Sequence, residues 1–335
     1  MDKHGLRREN LRLLRMGLLE LRQATKPQLA KRLNLSVVTV NALLQDLLQQ
    51  GEAERVMEAI SSGGRPAEQY RYVSSRKLVL TACLHEQARH DMLSLALVDL
   101  LGECHPLVQT YLPEVTVERL GKILAEYASK YSQIIKVLIG LPGVEQGGIL
   151  RVIDYPELKN QPLAASLQKL LGKPVEIVND INATIVGRGA ALGSVAAHEN
   201  IIGVYWPQQY PPGAGILLEG RLYKGRDGMA GEIGQRFGWP GQAAENISHE
   251  EQLLFMCELL TRMWNPHRLV FYDERLTEEK LQELSGRLAK LLPEWVVPQL
   301  ELRQQVHEDF HLGMHAMAGQ ILQHALEHEG MREQR

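Results

Sequence analysis

Val38, Thr39, Asn41 and Gln45 share one side of a helical pattern whose other side is Val40, Leu43, Leu44, Leu47 and Leu48. Amides on the outward side of a short helix can donate to and accept from base edges in a DNA major groove. Lys31 and Arg32 end the helical pattern just before it, and Ser36 stands at the junction. A second candidate contact is Arg65, inside Gly63-Gly64-Arg65-Pro66. An arginine on a glycine-rich tip suits a narrow, electronegative minor groove. The same tip, with Gly64 serving only the turn, also suits a plain solvated loop.

Three elements must position these side chains. Thr25 caps a helix whose first residue is Lys26 or Pro27, with Gln28 placed for a capping box. Leu29, Ala30 and Leu33 form its apolar face, and Asn34-Leu35 makes the turn. Ser36 caps the next helix, which runs to about Gln50 and stops at Gly51. Helix, tight turn, helix is the arrangement that lays a second helix in the major groove. Glu54–Ala59 and Gln69–Val73 then read as a hairpin, the wing of a winged helix-turn-helix. Leu11, Leu14, Leu18 and Leu21 mark an amphipathic helix ahead of it all.

Charge follows the same division. Residues 1–77 hold fourteen Lys or Arg against eight acids, a net +6, whereas the whole chain is −3 and residues 78–335 therefore carry −9. A basic head on an acidic body fits contact with phosphates at one end only. Because Ser36–Gln50 has no Lys or Arg, phosphate contacts fall to the first two helices and the hairpin.

The chain has 335 residues, enough for two or three cored domains. No apolar run reaches membrane-spanning length, and the start, Met1-Asp2-Lys3-His4-Gly5, leads into a charged helix and not an apolar signal core. Cys83, Cys104 and Cys257 are scattered and odd in number. Reduced thiols in a cytoplasmic protein are expected, with no disulfide frame and no cysteine zinc site.

Beyond the polar junction Ser74–Lys77 the pattern alternates strand and helix. Leu78–Leu84, Met92–Asp99 and Pro106–Leu112 read as an antiparallel meander. Helices are expected over Val117–Ser129, Pro162–Leu171, Ile181–Gly193, Glu250–Met263, Thr277–Leu291 and Asp309–Glu329. Strands are expected over Ile134–Ile139, Val175–Val178, Ile201–Trp206, Gly215–Leu218, Arg221–Lys224 and Arg268–Tyr272. This order fits two α/β lobes of the actin-like ATPase kind. Residues 1–77 form the expected DNA-binding domain and 78–335 the body.

Leu35-Ser36 with Thr39-Val40, the Gly63–Pro66 tip, Leu141-Pro142-Gly143, Asn179-Asp180-Ile181-Asn182-Ala183 and Gly225–Gly234 together resemble the ROK family of repressors and sugar kinases. The resemblance implies a sugar site in which Asn179, Asp180 and Glu232 bond hydroxyls and Gly143 shapes a wall. In the family's kinases the aspartate is also the general base. Gln235 stands where the family has a histidine, and an amide can replace one of its hydrogen bonds. Asp180 also suits a plain cap, and Glu232 a pairing with Arg226 or Arg236.

The departures are as informative. The family's kinases open the body with a glycine-rich phosphate loop; here Cys83–His90 has no glycine, so side chains block close backbone approach. The second phosphate turn carries Pro211-Pro212, which lack N–H donors. Phe271-Tyr272-Asp273 stands where the family has a glycine pair. The zinc motif is missing, since Arg236–Ala244 holds no cysteine. His311 with His315, and His324 with His328, lie four apart, the pattern of a solvated helix face.

The expectation is a non-catalytic DNA-binding regulator, a repressor. It needs no metal or cofactor, binds double-stranded DNA at a palindromic operator, and senses a sugar or sugar phosphate as a homodimer or higher homo-oligomer. Two alternatives stay open: an active sugar kinase with an appended DNA module, and a ligand-free protein that pairs two DNA-binding heads.

Overall fold

The computed structural model describes residues 3–56, 68–87, 89–208, 211–234 and 248–332. Helix α1 (Lys3–Leu21) leads through a short strand β1 (Ala24–Thr25) into α2 (Lys26–Leu33). Thr25 and Gln28 form the reciprocal capping box, with Lys26 first in the helix and Pro27 second. Asn34 adopts the left-handed conformation that turns the chain, and Ser36 caps α3 (Val37–Gln49) by accepting from Thr39 N. Strands β2 (Ala53–Val56) and β3 (Gln69–Tyr72) pair antiparallel, and β1 completes a three-stranded sheet on the other edge of β3. A bidentate pair from Arg15 to Glu52, at 2.6 and 3.0 Å, ties α1 to the start of β2.

The body contains two mixed five-stranded sheets. In the first, β4 (Leu78–Gln87), β5 (His90–Val98) and β6 (Cys104–Leu112) form the expected meander, and β7 (Ile134–Leu141) and β10 (Val175–Asn179) extend it in parallel. Helices α4 (Val117–Lys130) and α5 (Leu163–Leu171) cover one face, packing Leu120, Leu124, Leu163 and Leu167 against Leu80 and Ile139. The second sheet runs β13 (Arg221–Leu222), β12 (Gly213–Leu218), β11 (Asn200–Tyr205), β14 (Arg268–Tyr272), β15 (Gln299–Leu302). Helices α7 (His249–Trp264) and α8 (Glu278–Leu291) cover it through Leu260, Leu284 and Leu288.

Between the sheets lie α6 (Asp180–Leu192), against β11 and β12, and α9 (Val306–Arg332), against β4. They cross where both are glycine: a Cβ on Gly187 would lie 1.8 Å from the Asp309 carbonyl oxygen, and one on Gly313 would lie 1.7 Å from that of Ala183. No larger residue permits this backbone approach. Phe310, Met314, Ala318, Leu322 and Leu326 of α9 join Leu14 and Leu18 of α1 in one continuous core. The head and body thus share apolar packing across the Ser74–Arg76 turn.

A hairpin of β8 (Gly143–Gln146) and β9 (Ile149–Ile153) and the strand β15 were absent from the sequence expectations. The last helix begins three residues earlier than expected, at Val306. The strand expected from Glu54 to Ala59 is β2 as far as Val56, and the rest of it lies outside the described residues. Among the described residues no helix is long and apolar enough to cross a membrane.

Candidate functional site

Strand ends and helix starts of both lobes converge on a cleft of about 410 Å³. Pro142 and Gly143 follow β7, Asn179 and Asp180 join β10 to α6, Asp154 and Tyr155 follow β9, and Glu232 comes from the loop after β13. Four of the five expected sugar-site residues, Gly143, Asn179, Asp180 and Glu232, therefore line one cavity. The fifth, Gln235, lies outside the described residues.

The capping role falls to Asn179, whose Oδ1 accepts from Asn182 N at 3.0 Å while its Nδ2 donates to the Gly143 carbonyl at 3.3 Å. That leaves the Asp180 carboxylate, among the described residues, with local backbone donors only, Ile181 N at 2.8 Å and its own N–H, while its carbonyl accepts from Thr184 Oγ1 at 2.8 Å. Burial, reinforced by Asp154 and Glu232, pushes the Asp180 carboxyl up to about 7. Partial desolvation at the cleft lifts Asp154 to about 6 although the residue stays exposed, and burial with Asp154 raises Glu232. Arg226 points away into solvent and pairs with Asp227 at 2.7 Å, so it does not neutralise Glu232. Glu232 is placed by Gly231, where a Cβ would lie 1.7 Å from the Ala214 carbonyl oxygen of β12. Tyr205 faces the same acids; burial first, then Asp180, keeps its phenol protonated and able to donate.

Among the described residues, the walls of the cleft depart from a phosphate cradle at two places. Strands β4 and β5 stay in register to the pair Gln87–His90. Pro211 and Pro212 line the opposite wall. At the end of β14, Asp273 is 4% exposed and holds Arg275 through two bonds, at 2.8 and 2.9 Å. His249 Nε2 lies 2.8 Å from the same carboxylate, and Arg275 also donates to the Trp206 carbonyl at 3.0 Å. Against the opposing effect of burial, His249 and Arg275 hold Asp273 down at about 2. A charged cluster thus fills the position where the resemblance implied glycines.

The histidine expectation is corrected for His311 and His315, while His324 is exposed as expected and the His328 side chain lies outside the described residues. His307, His311 and His315 do not form a solvated face: α9 lies across the meander, and they are half-buried in the seam. His85 of β4 packs 4.4 Å from the His307 ring and 5.5 Å from that of His311, and His315 Nε2 lies 3.3 Å from Cys104 Sγ. Asp99, Glu103 and His105 bring one donor atom each within 4.8 Å of one another. Asp99 already accepts from Leu101 N, Glu103 N and Ser74 Oγ, and Glu103 pairs with Arg22, so the group organises a turn and anchors the head.

In the head, Val38 is 80% exposed, Asn41 is exposed, and Thr39 and Gln45 are half-buried at the margins of the stripe. Ser36 Oγ is 2.8 Å from Thr39 Oγ1, which keeps both hydroxyls in the cap. Lys31 is exposed, while Arg32 bonds Glu20 at 2.7 Å. Gly64 and Arg65 lie outside the described residues. Sequence reasoning missed Asp154, Tyr155 and Tyr205. Gly147-Gly148, both at positive φ between apolar runs, was the available signal for the hairpin that delivers the first two.

Two mixed sheets around a central helix pair, with an acidic cleft between lobes, define an actin-like α/β protein. The sequence model of the ROK family matches residues 92–237. The N-acetyl-D-glucosamine kinase of Vibrio atlanticus is 27% identical over 123 residues, 36% of this chain and 40% of that protein. The xylose repressor of Caldicellulosiruptor bescii is 25% identical over 258 residues, 70% of this chain and 60% of that protein. The chain thus spans about two fifths of the kinases' length and three fifths of the repressors'. A ROK family transcriptional regulator, described as a homolog of E. coli MLC protein, superposes with a TM-score of 0.58 at 17% identity, over 96% of this chain and 99% of that one. The ROK hexokinase of Thermus thermophilus gives the same TM-score at 19% identity, over 74% of this chain and 99% of that one. These likenesses establish the fold.

Proposed function

We propose that this chain is a DNA-binding transcription regulator, a repressor, whose body holds a sugar and does not phosphorylate it. The observation that carries the reading is the union, in one continuous core, of a capped helix–turn–helix with a kinase-like cleft in which, among the described residues, prolines and a charged cluster stand where a phosphate cradle would be. Residues 1–77 are the winged reader. Val38, Asn41 and Gln45 of α3 face bases, with Ser36 and Thr39 holding the helix start. Lys31, Arg32 and the Gly64-Arg65 tip meet phosphates and the minor groove. Residues 78–335 bind the effector and pair two heads on a palindromic operator in the cytoplasm. Asn179, Asp180, Glu232 and Gly143, with Gln235, hold the sugar.

Phosphoryl transfer depends on positioning nucleotide phosphates in line with the accepting hydroxyl. Two prolines without N–H groups and an Asp273 carboxylate already engaged by Arg275 and His249 do not offer phosphates the donors they need. The resemblance of the repressors over 70% of the chain agrees with a regulatory role. The kinase reading retains one specific support: a carboxyl pushed up to about 7 is well matched to a general base.

The test is a genomic binding selection followed by titration of the selected DNA, with and without sugars, for the natural chain and for Asp180→Asn. Asp180→Asn should retain sugar-free DNA binding and lose about ten- to a hundredfold in effector affinity. ATP-dependent phosphorylation of a hexose, abolished by the same substitution, would make the enzyme reading correct.

A further inference from the structure

Seven carboxylates line the cleft against two arginines. Neither arginine serves the floor: Arg303 is held on Asp309 at 3.2 Å, and Arg89 stands exposed on the β4–β5 turn. Asp154, Asp180 and Glu232 converge from three separate elements and have no basic partner among the described residues. Asp180 and Glu232 are half-buried and Asp154 is exposed to the cleft's solvent, and three like charges without counter-charges disfavour one another.

The acids are set within a built cavity. Tyr155, Tyr205, Trp206 and Tyr272 supply aromatic walls. His85, only 7% exposed, contributes to the lining, but its ring packs against His307 and its Nδ1 is closed off from the cleft's solvent. A ligand with hydroxyls and one cationic group would satisfy this wall, since aromatic faces also favour cations. A phosphate would enter against three carboxylates with no cation on the floor.

We propose that the cleft selects a sugar bearing a free, protonated amine, with the ammonium group against Asp154, Asp180 and Glu232, over neutral hexoses and sugar phosphates. This rests on the sugar-binding reading above and narrows it. Each charge-assisted hydrogen bond to the ammonium favours the amine over the matching hydroxyl by about ten- to a hundredfold.

The experiment is calorimetric titration of the full chain at neutral pH with D-glucosamine, D-glucose, N-acetyl-D-glucosamine, D-glucose 6-phosphate and magnesium chloride alone. D-glucosamine should bind at least about tenfold more tightly than the other sugars. The preference should shrink as salt rises, because screening weakens charge contacts and spares neutral ones. In Asp154→Asn the ratio of glucosamine to glucose affinity should fall by about tenfold. Glucose or N-acetylglucosamine binding as tightly as glucosamine would overturn the inference and leave the sugar reading standing. Tightest binding of the phosphate would do the same. Stoichiometric magnesium binding that disappears in Asp154→Asn would make the acids a metal site. Failure of every sugar to bind would remove the sugar reading itself.

Discussion

Two sets of titratable side chains, one at the cleft and one in the seam under α9, bend the pH dependence of stability in opposite directions. Asp180 at about 7 and Asp154 at about 6 are raised from 3.8. A group raised by folding stabilises fully below its unfolded value, and that contribution is lost as pH climbs through the folded one. His85 is depressed from 6.5 to about 4 by burial and then by His307 and His311. It costs nothing above pH 6.5, and stability is lost as pH falls toward 4. Asp180→Asn should therefore stabilise the protein at pH 8 by on the order of 2–4 kcal/mol and have little effect at pH 4. Urea unfolding at the two pH values checks this, and equal shifts at both would show that Asp180 is not strained. The motif made Asp180 legible in the sequence. Asp154 was not, because Asp-Tyr-Pro after an unread hairpin carries no spacing signal. The histidines erred the other way: a period of four identifies a helix face and says nothing of what covers it.

Elements were most legible where a side chain caps them. Thr25, Ser36, Thr116, Ser248 and Thr277 each accept a bond from a first-turn amide, and each helix starts where its cap implies. Strand β15 was not legible, because its four residues carry no turn chemistry of their own. The crossing of α6 and α9 was equally hidden, since Gly187 and Gly313 are far apart in sequence and look like ordinary helix-weakening residues. Their roles are steric. Gly313→Ala would gain helix propensity in isolation, yet its methyl carbon meets the Ala183 carbonyl at 1.7 Å. Overpacking of a close contact typically costs about 1–3 kcal/mol, and a backbone obstacle cannot rotate away. Gly313→Ala should lower stability by about 3 kcal/mol. Gly319→Ala, on the same helix with open space at its Cβ, should be neutral or stabilising. Thermal unfolding of the pair separates the two effects; similar Tm values for both variants would mean the helices do not cross as closely as they are built.

At the scale of the molecule, α9 reaches both the cleft and the head. Val306, His307 and Phe310 line the cavity at its start. Further along, Leu322 and Leu326 share a core with Leu14 and Leu18 of α1, and Lys77 donates to the Ala325 carbonyl at 3.5 Å. A ligand changes DNA affinity only by favouring one arrangement of such a shared element, and couplings of this kind amount to about 1–3 kcal/mol. Leu322→Ala should therefore act differently from a cavity of equal size elsewhere. Leu120→Ala, in the core between α4 and the first sheet, is the matched control, since both side chains are fully buried. Each should cost about 2–5 kcal/mol of stability. Sugar affinity should survive in both, because neither residue lines the cleft. The sugar-induced change in DNA affinity should collapse in Leu322→Ala and persist in Leu120→Ala. Loss in both variants would mean that general softening, not α9, breaks the response. Persistence in both would place the route through the Arg22–Glu103 contact and the Ser74–Asp99 turn instead.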